Sequence, residues 1–150
     1  MDPAGLVERL GLDPIPVEGG WFRVTWRSAA AGAIVALFSD AEDGFSALHR
    51  LGVTELWFAH GGEPFDLVLL HPDGRAEVVV LGVDVRAGEQ LSAAVPPGTW
   101  MGGRPRSRWS LLSTVTLPPF ADDLFEIGRR DELAEAYPGW QDWIEALTRV

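Results

Sequence analysis

The sequence predicts an all-β jelly-roll barrel, a double-stranded β-helix with short N- and C-terminal helices, and three observations lead to it. Short runs of aromatic and β-branched residues recur between Trp21 and Leu117 at a spacing of roughly ten residues. Turn signals separate them, above all Gly61-Gly62, His71-Pro72-Asp73-Gly74 and Pro96-Pro97-Gly98. Helical periodicity is confined to the N-terminus and to the tail beyond Asp131. The 150 residues are expected to form one domain spanning 1–150.

The elements follow in order. Asp2-Pro3 is an N-cap followed by Pro at the first helical position, Leu6, Val7 and Leu10 supply one apolar face, and Gly11 is the stop. Asp13 to Gly20 is a connector, because two prolines in it forbid helix. Strands are expected at Trp21–Arg27, Ala33–Phe38, Glu55–His60, Phe65–Leu70, Arg75–Leu81, Leu91–Val95 and Ser110–Leu117. Arg104, Arg106 and Arg108 follow Gly102-Gly103 and read as a loop, either solvated or an anion-attracting rim. In the tail, Asp131–Tyr137 reads as a helix and Pro138-Gly139 breaks it. Trp140, Trp143, Ile144 and Leu147 then form an apolar stripe suited to core or dimer packing.

Composition removes whole classes of chemistry. No cysteine is present, which excludes disulfides, thiolate metal sites and a Cys nucleophile. All 12 basic residues are Arg, so neither a Lys Schiff base nor a complete P-loop can be built. The net charge of −10 argues against a nucleic-acid partner. No apolar run approaches the ~20 residues of a membrane span and no secretory signal is visible, so a cytoplasmic location without membrane contact is expected. Nucleophile-elbow, dinucleotide-binding and His-Glu-x-x-His motifs are all missing. The pairs Glu42-Asp43 and Asp122-Asp123 read as surface charge.

The stretch that carries chemistry is Gly44 to Gly62, with His49-Arg50-Leu51 and Glu55, followed by Gly88 and Pro96-Pro97-Gly98-Thr99-Trp100-Met101. These residues resemble the two motifs of the cupin superfamily, with its RmlC-like jelly roll. Glu18-Gly19-Gly20-Trp21-Phe22-Arg23, Glu55-x-Trp57, His71-Pro72-Asp73-Gly74 and Leu81-Gly82-x-Asp84 narrow the resemblance to the DUF985, or cupin 5, group. Gly88-Glu89, Pro96-x-Gly98-x-Trp100 and Phe125-Glu126 extend it from about Leu10 to Pro138, nearly the whole chain. The resemblance implies a jelly roll and a homodimer, and no particular reaction. In the superfamily pattern a metal is held by two His and a Glu of the first motif and one His of the second. Here the second position holds Leu51, which cannot ligate, and the last holds Met101, a poor donor for divalent ions. No cofactor is therefore expected; a divalent metal, if bound, would have His49 and Glu55 as its protein ligands, completed by water and substrate.

The expected site is a barrel lumen with His49 as general base and Glu55 as the carboxylate that orients it, because histidine changes charge near neutrality. Arg23, Trp57, Trp100 and Met101 are expected around a small-molecule ligand, with Arg23 holding an anionic group or pairing with Glu126. Alternation along the strand places His60 on the face opposite Glu55 unless a bulge intervenes. The function that follows is a small-molecule isomerase, epimerase or lyase. The alternatives are a non-catalytic metabolite-binding module and a weak-metal enzyme. The single tyrosine, Tyr137, lies outside the strand region, which weakens the analogy with His/Tyr epimerases.

Overall fold

The computed structural model describes residues 1–150. Helix α1 (Pro3–Leu10) begins where the Asp2 side chain accepts a hydrogen bond from the Gly5 N–H at 2.7 Å, and Gly11 ends it in the left-handed region. Eleven strands follow: β1 (Asp13–Pro14), β2 (Trp21–Arg27), β3 (Gly32–Ser39), β4 (Ser46–Leu51), β5 (Thr54–Gly62), β6 (Phe65–Leu70), β7 (Ala76–Leu81), β8 (Ser92–Val95), β9 (Trp100–Pro105), β10 (Trp109–Leu117) and β11 (Phe125–Ile127). They make a six-stranded antiparallel sheet in the order β1-β2-β3-β10-β5-β8 and a five-stranded one in the order β11-β4-β9-β6-β7. The late strands β9 and β10 insert between early ones, the interleaving expected of a jelly roll. Helices α2 (Arg130–Ala136) and α3 (Gln141–Ala146) complete the tail.

One expected loop is a strand. Trp100–Pro105 forms β9, paired with β4 on one side and β6 on the other. Its glycines reflect crowding. A Cβ on Gly102 would lie 2.8 Å from the backbone of Ser46 and Leu48, and one on Gly103 would strike the Asp66 carbonyl and the Phe65 ring. The three arginines are dispersed. Arg104 lies 5.0 Å over the Trp143 ring, Arg106 pairs with Asp66 at 3.0 Å, and the Arg108 backbone N–H donates to Asp40.

Strand alternation sorts residues between the lumen and the outside. In β10, Ser110, Leu112, Thr114 and Thr116 are buried while the residues between them are half-buried. Across from them in β5, Glu55 pairs with Thr116 and Trp57 with Thr114. The register shifts between Leu111 and Leu112, where Ala59 and Gly61 are paired and His60 is passed over. His60 still points outward, with Nε2 2.5 Å from the Ser113 hydroxyl.

Two apolar clusters result. Between the sheets, Phe38, Trp57 and Phe65 form an aromatic group with centroid separations of 5.2 to 6.4 Å, alongside Leu67, Leu69, Leu81, Met101 and Leu112. Outside the five-stranded sheet, Leu48, Val68, Leu70 and Trp100 pack against Leu133, Tyr137, Ile144 and Leu147 of the tail. The tail stripe is therefore core: Ile144 and Leu147 are fully buried and the Leu147 carbonyl accepts from the Leu48 N–H at 2.8 Å.

Candidate functional site

A cavity of about 410 Å³ opens at one end of the space between the sheets. Its walls are apolar, with Phe22, Val24, Ile34, Phe38, Phe120 and Phe125 among them, and its polar lining includes Glu18, His49, Glu55, Thr114 and Thr116. Such a mixture, mostly apolar with a few convergent polar groups, is what small-molecule sites present.

His49 is placed by β4, from which His49 and Leu51 line the cavity. Its Nδ1 lies 2.7 Å from the Ala47 carbonyl oxygen, which can only accept, so Nδ1 carries the hydrogen and neutral His49 keeps its lone pair on Nε2. The ring is packed parallel to Phe125 at 5.4 Å, on strand β11 alongside. Orientation of the imidazole is thus fixed by backbone and an aromatic neighbour.

The carboxylate next to His49 is Glu18, 3.4 Å from Nε2, and no ion pair joins His49 to Glu55. This corrects the expectation that Glu55 orients the histidine. Glu18 comes from the β1–β2 connector, and its Oε1 also accepts from the Ser46 hydroxyl at 2.6 Å. The connector is bent hard to deliver it. Val17, a β-branched residue, sits at φ 68°, and Gly19 and Gly20 also take positive φ. A Cβ on Gly20 would meet the Phe38 ring, so the chain passes too close for any other residue. The Glu18 carbonyl is gripped from behind, by the Ala47 N–H at 2.9 Å and by the Arg149 guanidinium, which also lies 3.8 Å over the Phe45 ring. Glu18 was hidden from the sequence reading because its partners are some thirty positions away; the one signal was its place in the Glu18-Gly19-Gly20 string.

Glu55 lies on β5, buried and lining the same cavity, with no cationic partner. Burial pushes its carboxyl up to about 8, the Glu18 charge adds to the rise, and the Thr114 hydroxyl opposes it. At neutral pH Glu55 is therefore a carboxylic acid, able to donate a proton. Trp57 lines the cavity, but its Nε1 is buried without a partner in the aromatic group, an omission that costs about 1–3 kcal/mol.

The remaining expected residues lie elsewhere. On β2 it is Phe22, Val24 and Trp26 that line the cavity, so Arg23, between them, points to the outer face. Its suggested partner Glu126 is bonded to Arg50 at 2.8 Å. Trp100 faces the helices, with the Arg50 guanidinium 4.5 Å over its ring. Met101, its neighbour on β9, points between the sheets but fills the packed cluster rather than the cavity wall. Asp122, read as surface charge, stands at the cavity mouth. His71 bonds Glu77 at 2.8 Å, and its carbonyl accepts from Tyr137, well away from the lumen.

The donor set does not fit a metal of the superfamily type. Leu51 lines the cavity wall, Met101 is core, and no three His, Cys, Asp or Glu are grouped to hold an ion.

The chain belongs to the cupin superfamily: residues 4–128 match the family described as "Cupin superfamily (DUF985)". It is similar over nearly its whole length to protein SO0799 from Shewanella oneidensis, at 28% identity and TM-score 0.91, covering 99% of this chain and 98% of that one. A hypothetical protein from Leishmania major is also 28% identical, at TM-score 0.88 over 100% of both chains. A Streptomyces PAC13 variant with uridine shares the fold at 13% identity and TM-score 0.58, over 79% of this chain and 85% of that one. No curated protein matches. No helix is long and apolar enough to cross a membrane.

Proposed function

We propose that this protein is a small-molecule isomerase, epimerase or lyase that moves protons in its barrel lumen. One observation carries the reading: His49, with Nδ1 tied to the Ala47 carbonyl and Nε2 beside the Glu18 carboxylate, and the buried Glu55 carboxyl, pushed up to about 8, face one largely apolar cavity. An imidazole and a carboxylic acid converging on one cavity are the groups that proton transfer requires. His49 Nε2 takes a proton from the substrate, and the Glu18 carboxylate stabilises the imidazolium that forms. Glu55 supplies a proton on the other side of the reaction. Trp57 and the phenylalanine walls exclude water, which strengthens both effects. The PAC13 structure with uridine supports a small molecule as the occupant of such a barrel.

A cytoplasmic homodimer fits the same reading. The outer face of the six-stranded sheet leaves Val35, Leu56, Phe58 and Val115 only half-buried, a surface suited to a second copy.

The test is a deuterium-exchange screen. The protein is incubated with a metabolite extract in D2O, and carbon-bound label is followed by mass spectrometry. Wild type is expected to accelerate exchange in a defined compound, and His49→Gln to lower that rate by about two to four orders of magnitude. Equal labelling by wild type and His49→Gln would overturn the assignment of the base. Absence of any labelled compound would favour the metabolite-binding module.

A further inference from the structure

The charge layout of the lumen restricts what can enter it. Its inner polar groups are two carboxyl groups, an imidazole and two threonine hydroxyls, with no guanidinium among them. Arg27 is the single basic residue along the cavity apart from His49. It is exposed at the rim, and its Nη2 donates to the Phe120 carbonyl at 3.1 Å. Arg149 stands behind the connector, directed at backbone carbonyls of Glu18 and Phe45, and does not line the cavity. A carboxylate or phosphate drawn past Arg27 at the rim would be desolvated beside Glu18 with no guanidinium to receive it. An anion is therefore disfavoured in the inner lumen.

We propose that the lumen takes an uncharged carbonyl compound with an apolar body, a ketone or aldehyde, and rejects carboxylates and phosphates. This rests on the proposed acid/base function and adds the substrate class. The carbonyl oxygen accepts from the Glu55 carboxyl, and the adjacent C–H faces His49 Nε2. In the forward step that C–H bond breaks and its proton passes to Nε2. The bonding pair becomes the new C=C bond, and the carbonyl π pair moves to oxygen, which takes the Glu55 proton. The product is the enol, with His49 cationic between its carbonyl contact and Glu18. Return of a proton from Nε2 to the same carbon, and of the enol proton to Glu55, restores both groups with the α-hydrogen exchanged; return to the far carbon of a conjugated dienol completes a double-bond isomerisation. No other reactant is required.

Two bicyclic probes of one shape test it: 2-tetralone and tetralin-2-carboxylate. Binding is followed at pH 7 by protein-observed NMR titration, and exchange at the 2-tetralone α-carbons in D2O is followed in parallel. The ketone is expected to bind at least about tenfold more tightly than the carboxylate, and Glu18→Gln to raise carboxylate affinity by about tenfold or more. Carboxylate binding as tight as that of the ketone overturns the substrate class, and so does a Glu18→Gln variant that still rejects the carboxylate. The two readings separate cleanly. A ketone preference that persists without any exchange above that of His49→Gln preserves the binding inference and sinks the catalytic reading. Exchange in the metabolite screen confined to charged compounds does the reverse.

Discussion

Strands β4 and β9 present two unlike surfaces, and the contrast explains where chemistry resides in this molecule. On the helix side, Leu48, Trp100, Leu133, Ile144 and Leu147 close into a packed cluster, and the charged Arg50 lies over Trp100 with its partner Glu126 in reach. On the lumen side of β4, one residue further along, His49 and Leu51 face unfilled space shared with Glu18 and Glu55. The same backbone supports both, so the difference is one of side-chain parity. The dry face contributes stability through close packing, while the lumen face retains volume, a strained connector and a buried carboxyl without a cationic partner, each of which costs stability. Sites for chemistry concentrate where a fold carries such costs.

That contrast can be broken from either side. The largest expected effect belongs to the lumen. Glu55 is raised in the folded chain from 4.5 to about 8, so the folded protein holds a proton that the unfolded chain has already released across that interval. The favourable contribution is complete below about pH 4.5 and is lost as pH rises through 8. Denaturant unfolding is expected to show stability falling by roughly 3–5 kcal/mol between acid and alkaline pH, with Glu55→Gln removing most of that slope. A wild-type slope unchanged by the substitution would mean that Glu55 is not held protonated. The helix side gives the smaller effect. Ile144→Ala, which opens a hole in the dry cluster, is expected to cost about 2–4 kcal/mol at every pH while leaving ligand affinity in the lumen unchanged. Coupling of that variant to ligand binding would show that the two faces are not independent.

The barrel was legible because alternation and turn residues are local signals, as in β10, where Ser110, Leu112, Thr114 and Thr116 mark one face. His49 and Glu55 were legible through motif spacing, and Trp57 through its parity with Glu55. What failed depended on neighbours distant in sequence. Gly102-Gly103 imitates a loop because nothing in the sequence reveals the backbones pressed against it on both sides. Arg23 and Trp100 were placed in the lumen because the phase of a strand relative to the barrel is set by its partners. The role given to Glu55 belongs to Glu18, which reaches His49 only through a connector bent at Val17.

The central claim is that the lumen holds an acid protonated at neutral pH beside a histidine backed by a second carboxylate. Carbon-detected NMR of selectively labelled glutamate side chains, titrated in wild type and in Glu18→Gln, tests it most directly. The account predicts that Glu55 titrates near 8 in wild type and moves toward the ordinary carboxylate range when the Glu18 charge is removed. Titration of Glu55 in the ordinary range in wild type would contradict it.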